Sequence, residues 1–212
     1  MTPRARLLAA IVFGMTMSLF EAAVVVYLRR LWDLGEVDVT ALSLRNPIVL
    51  TEVLREAASL GMIGSVAFLA GRRAVERIAH AAVIFGTWDV LYYVFLRLLI
   101  GWPSSLLEWD ALFLIPRPWI GPVLAPILVS SALVAGGMLV LLREAAGRPV
   151  RPLKLEWLAA VLGGGLVIGS FLTVDVPQTR TGAPQGFSWV LFSTGLALAL
   201  AGFMRSLRRP SL

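Results

Sequence analysis

Six ionisable side chains interrupt stretches of the 212-residue chain that are otherwise strongly apolar. If these stretches cross a bilayer, each such charge costs about 2.5–3.5 kcal/mol on insertion scales, so it usually faces the bundle interior and marks a functional path. We therefore take the six as the centre of a candidate site. They are four carboxylates and two guanidinium groups: Glu21, Glu52, Arg55, Glu56, Asp89 and Arg97.

The spacing of these residues favours one shared site. Glu52 and Glu56 lie four residues apart and so on one face of a helix, and Arg55 is three residues from Glu52. This turn would place two carboxylates and a guanidinium group around a common point.

A second polar stripe begins at Asp89. Tyr92, Tyr93 and Arg97 follow it at intervals of three, four and eight residues, which places all four along one side of a helix. At least one tyrosine is well placed to donate a hydrogen bond to a carboxylate or a ligand.

The charge of the set limits its chemistry. Four carboxylates and two guanidinium groups leave a net charge of −2, which a low-dielectric pocket does not hold uncompensated. Either a cation binds, or carboxyl groups take up protons, or some of these residues reach water. Ligation by oxygen alone favours a hard divalent cation such as Mg²⁺, Mn²⁺ or Ca²⁺, or non-haem iron. The predicted metal ligands are Glu21, Glu52, Glu56 and Asp89.

For an enzyme, the predicted catalytic residues are the groups that could move or donate protons: Glu56, Asp89, Tyr92 and Tyr93. The two arginines, Arg55 and Arg97, would position an anionic group of the ligand. The alternative is that some of these charges are ion pairs that only fix helix packing.

The loop at 102–118 is predicted to be an extracytoplasmic lid. Its apolar run is too short to span a bilayer, so we expect a short interfacial or re-entrant helix that begins near Ser104 or Ser105 and ends at Pro116. Trp109-Asp110 repeats the pair Trp88-Asp89 and would bring another carboxylate over the site. The predicted ligand-binding residues also include Trp109 and Asp110 of this loop and Trp88 of the third segment. A membrane-anchoring loop whose carboxylates face water is the alternative reading.

Composition places the chain in the membrane class. It is 58% hydrophobic and 15% charged, with a mean hydropathy of +0.82. The net charge of +6 would suggest nucleic acid for a soluble protein, but most basic residues flank apolar segments, which is typical of topology signals and anionic-lipid contacts. With no Cys and one His, the chain is expected to hold no Cys-ligated centre and no bis-His haem.

Six stretches are long enough for a bilayer-spanning helix of about 20 residues. We therefore predict one all-α domain over 1–212, a polytopic membrane helix bundle whose first segment is a retained helix. The predicted spans are 7–29, 48–71, 78–101, 119–142, 156–174 and 187–205.

The connecting segments differ in charge. Those on one side hold twelve basic residues and those on the other hold five. The positive-inside rule then puts both termini in the cytoplasm of a bacterial cell and the polar site in the outer half of an inner-membrane protein. The twelve are Arg4, Arg6, Arg72, Arg73, Arg77, Arg143, Arg148, Arg151, Lys154, Arg205, Arg208 and Arg209.

The second half of the chain has no ionisable residue deep in its predicted spans and is rich in glycine. Gly165 and Gly169, four residues apart, predict a close approach of two helices. The polar residues of the first half have no counterparts here, which weighs against an inverted-repeat transporter.

Two short elements carry a resemblance: W-D-x-x-Y-Y at 88–93 and G-W-P-x-S at 101–105. With them, the region of segments two to four resembles a group of small bacterial multi-pass inner-membrane proteins. The resemblance implies a membrane location and brings no activity or site residue with it.

Three functions are compatible with these patterns. The first is an intramembrane enzyme or a metal- or lipid-headgroup-binding protein. The second is a proton- or ion-coupled carrier that uses the same carboxylates. The third is a non-catalytic subunit or assembly factor of a membrane complex. The expected partners are the lipid bilayer and another membrane subunit or a second copy of the chain, and not nucleic acid.

Overall fold

The computed structural model describes residues 2–32, 47–115, 117–174 and 186–208. Within these ranges the chain forms six helices, each long and apolar enough to cross a membrane. The six predicted helices are therefore confirmed. The helices are α1 (Pro3–Trp32), α2 (Pro47–Ala70), α3 (Ala74–Ile100), α4 (Leu124–Ala145), α5 (Lys154–Leu172) and α6 (Trp189–Leu207).

Local chemistry explains several helix ends. Pro3 and Pro47 open α1 and α2, because the first turn of a helix needs no N–H from a proline. The helix α3 stops at Gly101, whose φ of 73° is left-handed and whose N–H bonds the carbonyl of Arg97. Ser188 caps α6 by accepting a hydrogen bond from the N–H of Leu191 at 3.2 Å.

The helix α3 lies at the centre of the first four helices and packs against α1, α2 and α4. Glycines bring its neighbours to backbone distance. A methyl group added at Gly14 of α1 would lie 2.8 Å from the carbonyl oxygen of Ile84, and one added at Gly137 of α4 would lie 2.7 Å from that of Ala79. Both helices therefore pack against α3 without side chains between the backbones.

The helices α5 and α6 form a separate close pair. A methyl group at Gly195 would lie 2.6 Å from the carbonyl oxygen of Gly163. The prediction of this contact at Gly165 and Gly169 was wrong, because Gly165 meets open space and Gly169 meets only Leu191, at 3.7 Å. The prediction identified the correct helix, α5, but the glycine that packs against α6 is Gly163, two residues before Gly165.

A two-stranded hairpin stands where a short helix was predicted. Strands β1 (Trp109–Phe113) and β2 (Trp119–Pro122) pair antiparallel, with Asp110 opposite Gly121. Residues 102–115 contain no helix, so the interfacial or re-entrant helix was a wrong prediction. Pairing across the hairpin satisfies backbone groups of both strands. Pro116, the predicted helix end, lies outside the described residues.

The hairpin also changes the fourth span. Residues 119–122 belong to β2, so α4 begins at Leu124 and not at 119. Hydrogen bonds from Val123 and Leu124 to the carbonyls of Glu108 and Leu106, at 2.9 and 2.7 Å, hold the start of α4 against the loop. Pro126 lies in the first turn of α4, where it disturbs no hydrogen bond.

Candidate functional site

The polar residues gather where α1, α2 and α3 meet the hairpin, which we call the hairpin end. The opposite end of α1–α4 holds Arg4, Arg6, Arg72 and Arg73, and we call it the arginine-rich end. Arg55 lies between two carboxylates at the hairpin end. It pairs with Glu52 of its own helix at 2.7 Å and with Glu21 of α1. This triad joins α1 to α2 through charge-assisted hydrogen bonds.

Glu56 contacts the hairpin. Its carboxylate accepts hydrogen bonds from the backbone N–H of Leu114, the residue after β1, at 2.9 and 3.2 Å. The Glu56 side chain is buried, with the residue 7% exposed. This hydrogen bond links the hairpin to α2 and satisfies a backbone N–H at the end of a strand.

Asp110 is the carboxylate that the hairpin brings over the helices. Its oxygen accepts a hydrogen bond from the Tyr93 hydroxyl at 3.0 Å, and the residue is 6% exposed. Burial raises the pKa of Asp110 to about 7, against the opposing effects of the Arg29 charge and the Tyr93 hydrogen bond. The charge of Asp89 raises this pKa further.

Asp89 points to another helix. It accepts a hydrogen bond from the hydroxyl of Ser130 in α4 at 2.8 Å. Ser130 was not predicted as a site residue; its only signal in the sequence is the serine pair Ser130-Ser131 in an apolar helix. The bond joins α3 to α4, whereas Glu21 contacts Arg55 of α2 and Glu56 contacts the hairpin.

Two arginines, Arg97 and Arg29, contact the loop that follows α3. Arg97, predicted to bind an anionic ligand, donates to the carbonyls of Gly101 and of Pro103, the latter at 3.1 Å. Arg29 lies with its guanidinium carbon 4.0 Å from the ring centre of Trp102. Arg29 was not predicted as a site residue. Its place at the end of α1, next to the aromatic loop, is the signal that could have found it.

The predicted aromatic residues fall into two groups. Trp88 is buried and packs edge-on against Phe113, with ring centres 6.2 Å apart, so it contacts the hairpin and not an open site. Tyr92, half-buried, packs edge-on against Tyr93 at 5.0 Å. Trp109 is half-buried on β1.

The predicted metal ligands are not gathered. Across the described ranges, no three His, Asp or Glu side chains are placed to hold a metal ion. Glu21 and Glu52 engage Arg55, Glu56 engages the Leu114 N–H, and Asp89 engages Ser130. Glu21 and Glu52 thus share one partner, while Glu56 and Asp89 contact two other elements, the hairpin and α4.

An apolar layer lies on the other side of the polar residues, toward the arginine-rich end. It comprises buried side chains from α1, α2 and α3 that contact one another: Ala10, Met17, Ile63, Ala67, Ile84 and Trp88. The polar groups therefore border the hairpin on one side and this apolar layer on the other.

Comparisons with known proteins add nothing to this geometry. No protein-family model, no curated protein and no solved structure matches the chain.

Proposed function

We propose that this protein is an intramembrane enzyme that uses Asp110 as its general acid and base. Its substrate would be a membrane-soluble amphiphile whose polar head lies at the hairpin end. The observation that carries the proposal is the buried Asp110 carboxyl with a pKa of about 7. A general acid or base works best when its pKa is close to the operating pH.

The surroundings of Asp110 suit that role. The hydrogen bond from Tyr93 fixes the orientation of the carboxyl group, and both residues are buried. Water is thus kept from the group that transfers the proton, which strengthens its electrostatic interactions. Tyr93 is the positioning residue in this proposal.

The other predicted catalytic residues have structural or substrate-contacting roles in this proposal. Glu56 binds the backbone of the hairpin and Asp89 binds Ser130, so both hold the elements that surround Asp110. Tyr92 and Trp109 are half-buried beside it and would contact the substrate. The substrate would reach the carboxyl by passing the hairpin edge from the bilayer.

Two observations favour this proposal over the alternatives. An ion-coupled carrier needs a polar path through the bundle, and the apolar layer between α1, α2 and α3 interrupts one. A subunit that meets its partner through polar side chains would leave them unsatisfied in the isolated chain. Here the carboxylates of Glu21, Glu56 and Asp110 all have partners within the chain.

The test is turnover of lipid by the purified full chain in vesicles made from total bacterial lipid, followed by mass spectrometry. We expect the wild type to convert one lipid class, with a pH profile that bends near 7. Asp110→Asn should lower the rate by about 100-fold or more, the usual contribution of general acid–base catalysis.

The matched control is Glu108→Gln. Glu108 is a half-buried carboxylate of the same loop that bonds Ser104 and lies outside the Asp110–Tyr93 pair. It should keep the wild-type rate. Equal rates in the wild type and Asp110→Asn, or unchanged lipids with the wild type between pH 5 and 8, would rule the enzyme out.

A further inference from the structure

A polar cavity lies at the arginine-rich end, far along the bundle from the hairpin. It has a volume of about 210 Å³ and is bounded by the first turns of α1, the start of α3 and the last turns of α4. Its polar lining consists of Arg4, Arg6, Arg72, Glu76, His80 and Glu144.

The carboxylates of this cavity are neutralised by groups around them. Glu76 accepts a hydrogen bond from the Arg72 backbone N–H at 2.9 Å and lies 3.7 Å from both Arg6 and Arg73. Glu144 pairs with Arg73 and accepts a hydrogen bond from the Val150 N–H at 3.0 Å.

The charges around the cavity do not cancel. Arg4, Arg6, Arg72 and Arg73 carry four positive charges against the two carboxylates, which leaves two positive charges. Arg4 and Arg72 are exposed, and neither guanidinium group has a hydrogen bond or ion pair among the described residues. A dianion would compensate this excess.

Two buried nitrogen atoms also lack partners. His80 is 2% exposed, and its Nδ1 lies 2.8 Å from the carbonyl oxygen of Glu76, so Nδ1 must be the donor in that bond. Its Nε2 is buried without a hydrogen-bond partner among the described residues, as is Nε of Arg6. Buried polar atoms nearly always have partners, so these two nitrogens point to a missing ligand.

We propose that this cavity binds a phosphate monoester group. Such a group carries about −1.5 to −2 charges at neutral pH and three acceptor oxygens, which match the excess charge and the guanidinium donors. Nε2 of His80 would contact a phosphate oxygen, either as an acceptor from a protonated oxygen or as a donor from the charged ring. The group belongs either to a lipid headgroup or to a soluble molecule, because the cavity lies at a helix end where both have access.

The full chain, purified in detergent, is tested with two probes. One is radiolabelled inorganic phosphate in equilibrium dialysis. The other is native mass spectrometry after incorporation into nanodiscs with equal amounts of phosphatidic acid and phosphatidylglycerol, a monoester and a diester.

The decisive variants are two charge-matched double substitutions. Arg4→Gln with Arg72→Gln removes two arginines of the cavity, and Arg148→Gln with Arg151→Gln removes two exposed arginines of the same end that do not line it. We expect the first to weaken binding by about tenfold or more and the second by less than about twofold. His80→Gln, which changes no arginine, should weaken binding as well.

The results separate the sources of the phosphate. Enrichment of phosphatidic acid that inorganic phosphate does not displace identifies a lipid headgroup, whereas saturable phosphate binding without that enrichment identifies a soluble ligand. If neither probe binds, the proposal is overturned. Equal losses in the two double variants also overturn it, since they would reflect only the net charge of this end.

Discussion

Asp110 lies on a β-strand with its carboxyl group against the Tyr93 hydroxyl and within the field of Asp89 and Arg29. Burial favours the protonated form of Asp110 more strongly than the Arg29 charge and the Tyr93 hydrogen bond oppose it, so the group holds its proton in the folded chain at pH values where an unfolded chain has lost it. The charge state of this single residue therefore couples to folding.

This coupling predicts a pH-dependent stability. Burial raises the pKa of Asp110 from 3.8 to about 7, so between these values the folded state binds more protons than the unfolded state. The free energy of unfolding should fall as the pH rises through this window, by about 1.4 kcal/mol per pH unit, and level off above it. The measurement is detergent unfolding of the wild type and Asp110→Asn from pH 5 to 8.

The difference in unfolding free energy between the wild type and Asp110→Asn separates the contribution of Asp110 from that of the other titrating groups. Asparagine keeps an oxygen that accepts the Tyr93 hydrogen bond, so the substitution removes the titration with little change in packing. A difference in unfolding free energy that stays constant from pH 5 to 8 would show that Asp110 does not titrate in this way.

At the scale of elements, close helix contacts depend on which glycine faces the partner. Gly163 and Gly164 are neighbours in α5, but a methyl group added at Gly163 would lie 2.8 Å from the backbone nitrogen of Ala199, whereas one added at Gly164 meets nothing within 4 Å. The first position thus sets the distance between α5 and α6, and the second does not.

We predict opposite effects of alanine at these two positions. Gly163→Ala should lower the free energy of unfolding by about 1–3 kcal/mol, because the added carbon meets backbone atoms that cannot move aside. Gly164→Ala should leave it unchanged or raise it by up to about 1 kcal/mol, through the better helix propensity of alanine. Unfolding of both variants in the same detergent checks this, and equal effects would contradict the packing shown for α5 and α6.

The whole molecule has two chemically different ends. Buried carboxylates lie at the hairpin end, and guanidinium groups surround a cavity at the arginine-rich end. An apolar layer separates the two within α1–α3. This polarity is the basis for proposing that the arginine-rich end faces the cytoplasm.

Cysteine labelling tests that orientation, since the chain has no cysteine of its own. Ser105 lies before the hairpin and Ala146 follows α4, and both are exposed. A membrane-impermeant maleimide added to intact cells should label Ser105→Cys at once and Ala146→Cys only after permeabilisation. The reverse pattern would place the termini outside and the hairpin in the cytoplasm.

The sequence by itself determined the membrane class, the six helices and the six polar residues within them. These depend on local properties, because about 20 consecutive apolar residues are enough to define a span and a charge inside one is visible without its partner. The location of these charges in the outer half of the membrane stays a prediction, which rests on the loop charges, the segment lengths and the helix rise.

Only the tertiary structure decided what each polar group contacts. The partner of Glu56 is 58 residues along the chain, that of Asp89 is 41, and Gly163 meets Gly195 across two helices. The hairpin likewise depends on pairing Trp109–Phe113 with Trp119–Pro122, which the helical pattern of the same residues did not indicate. Strand pairing and side-chain partners are set by which surfaces meet in three dimensions, and local periodicity does not contain that information.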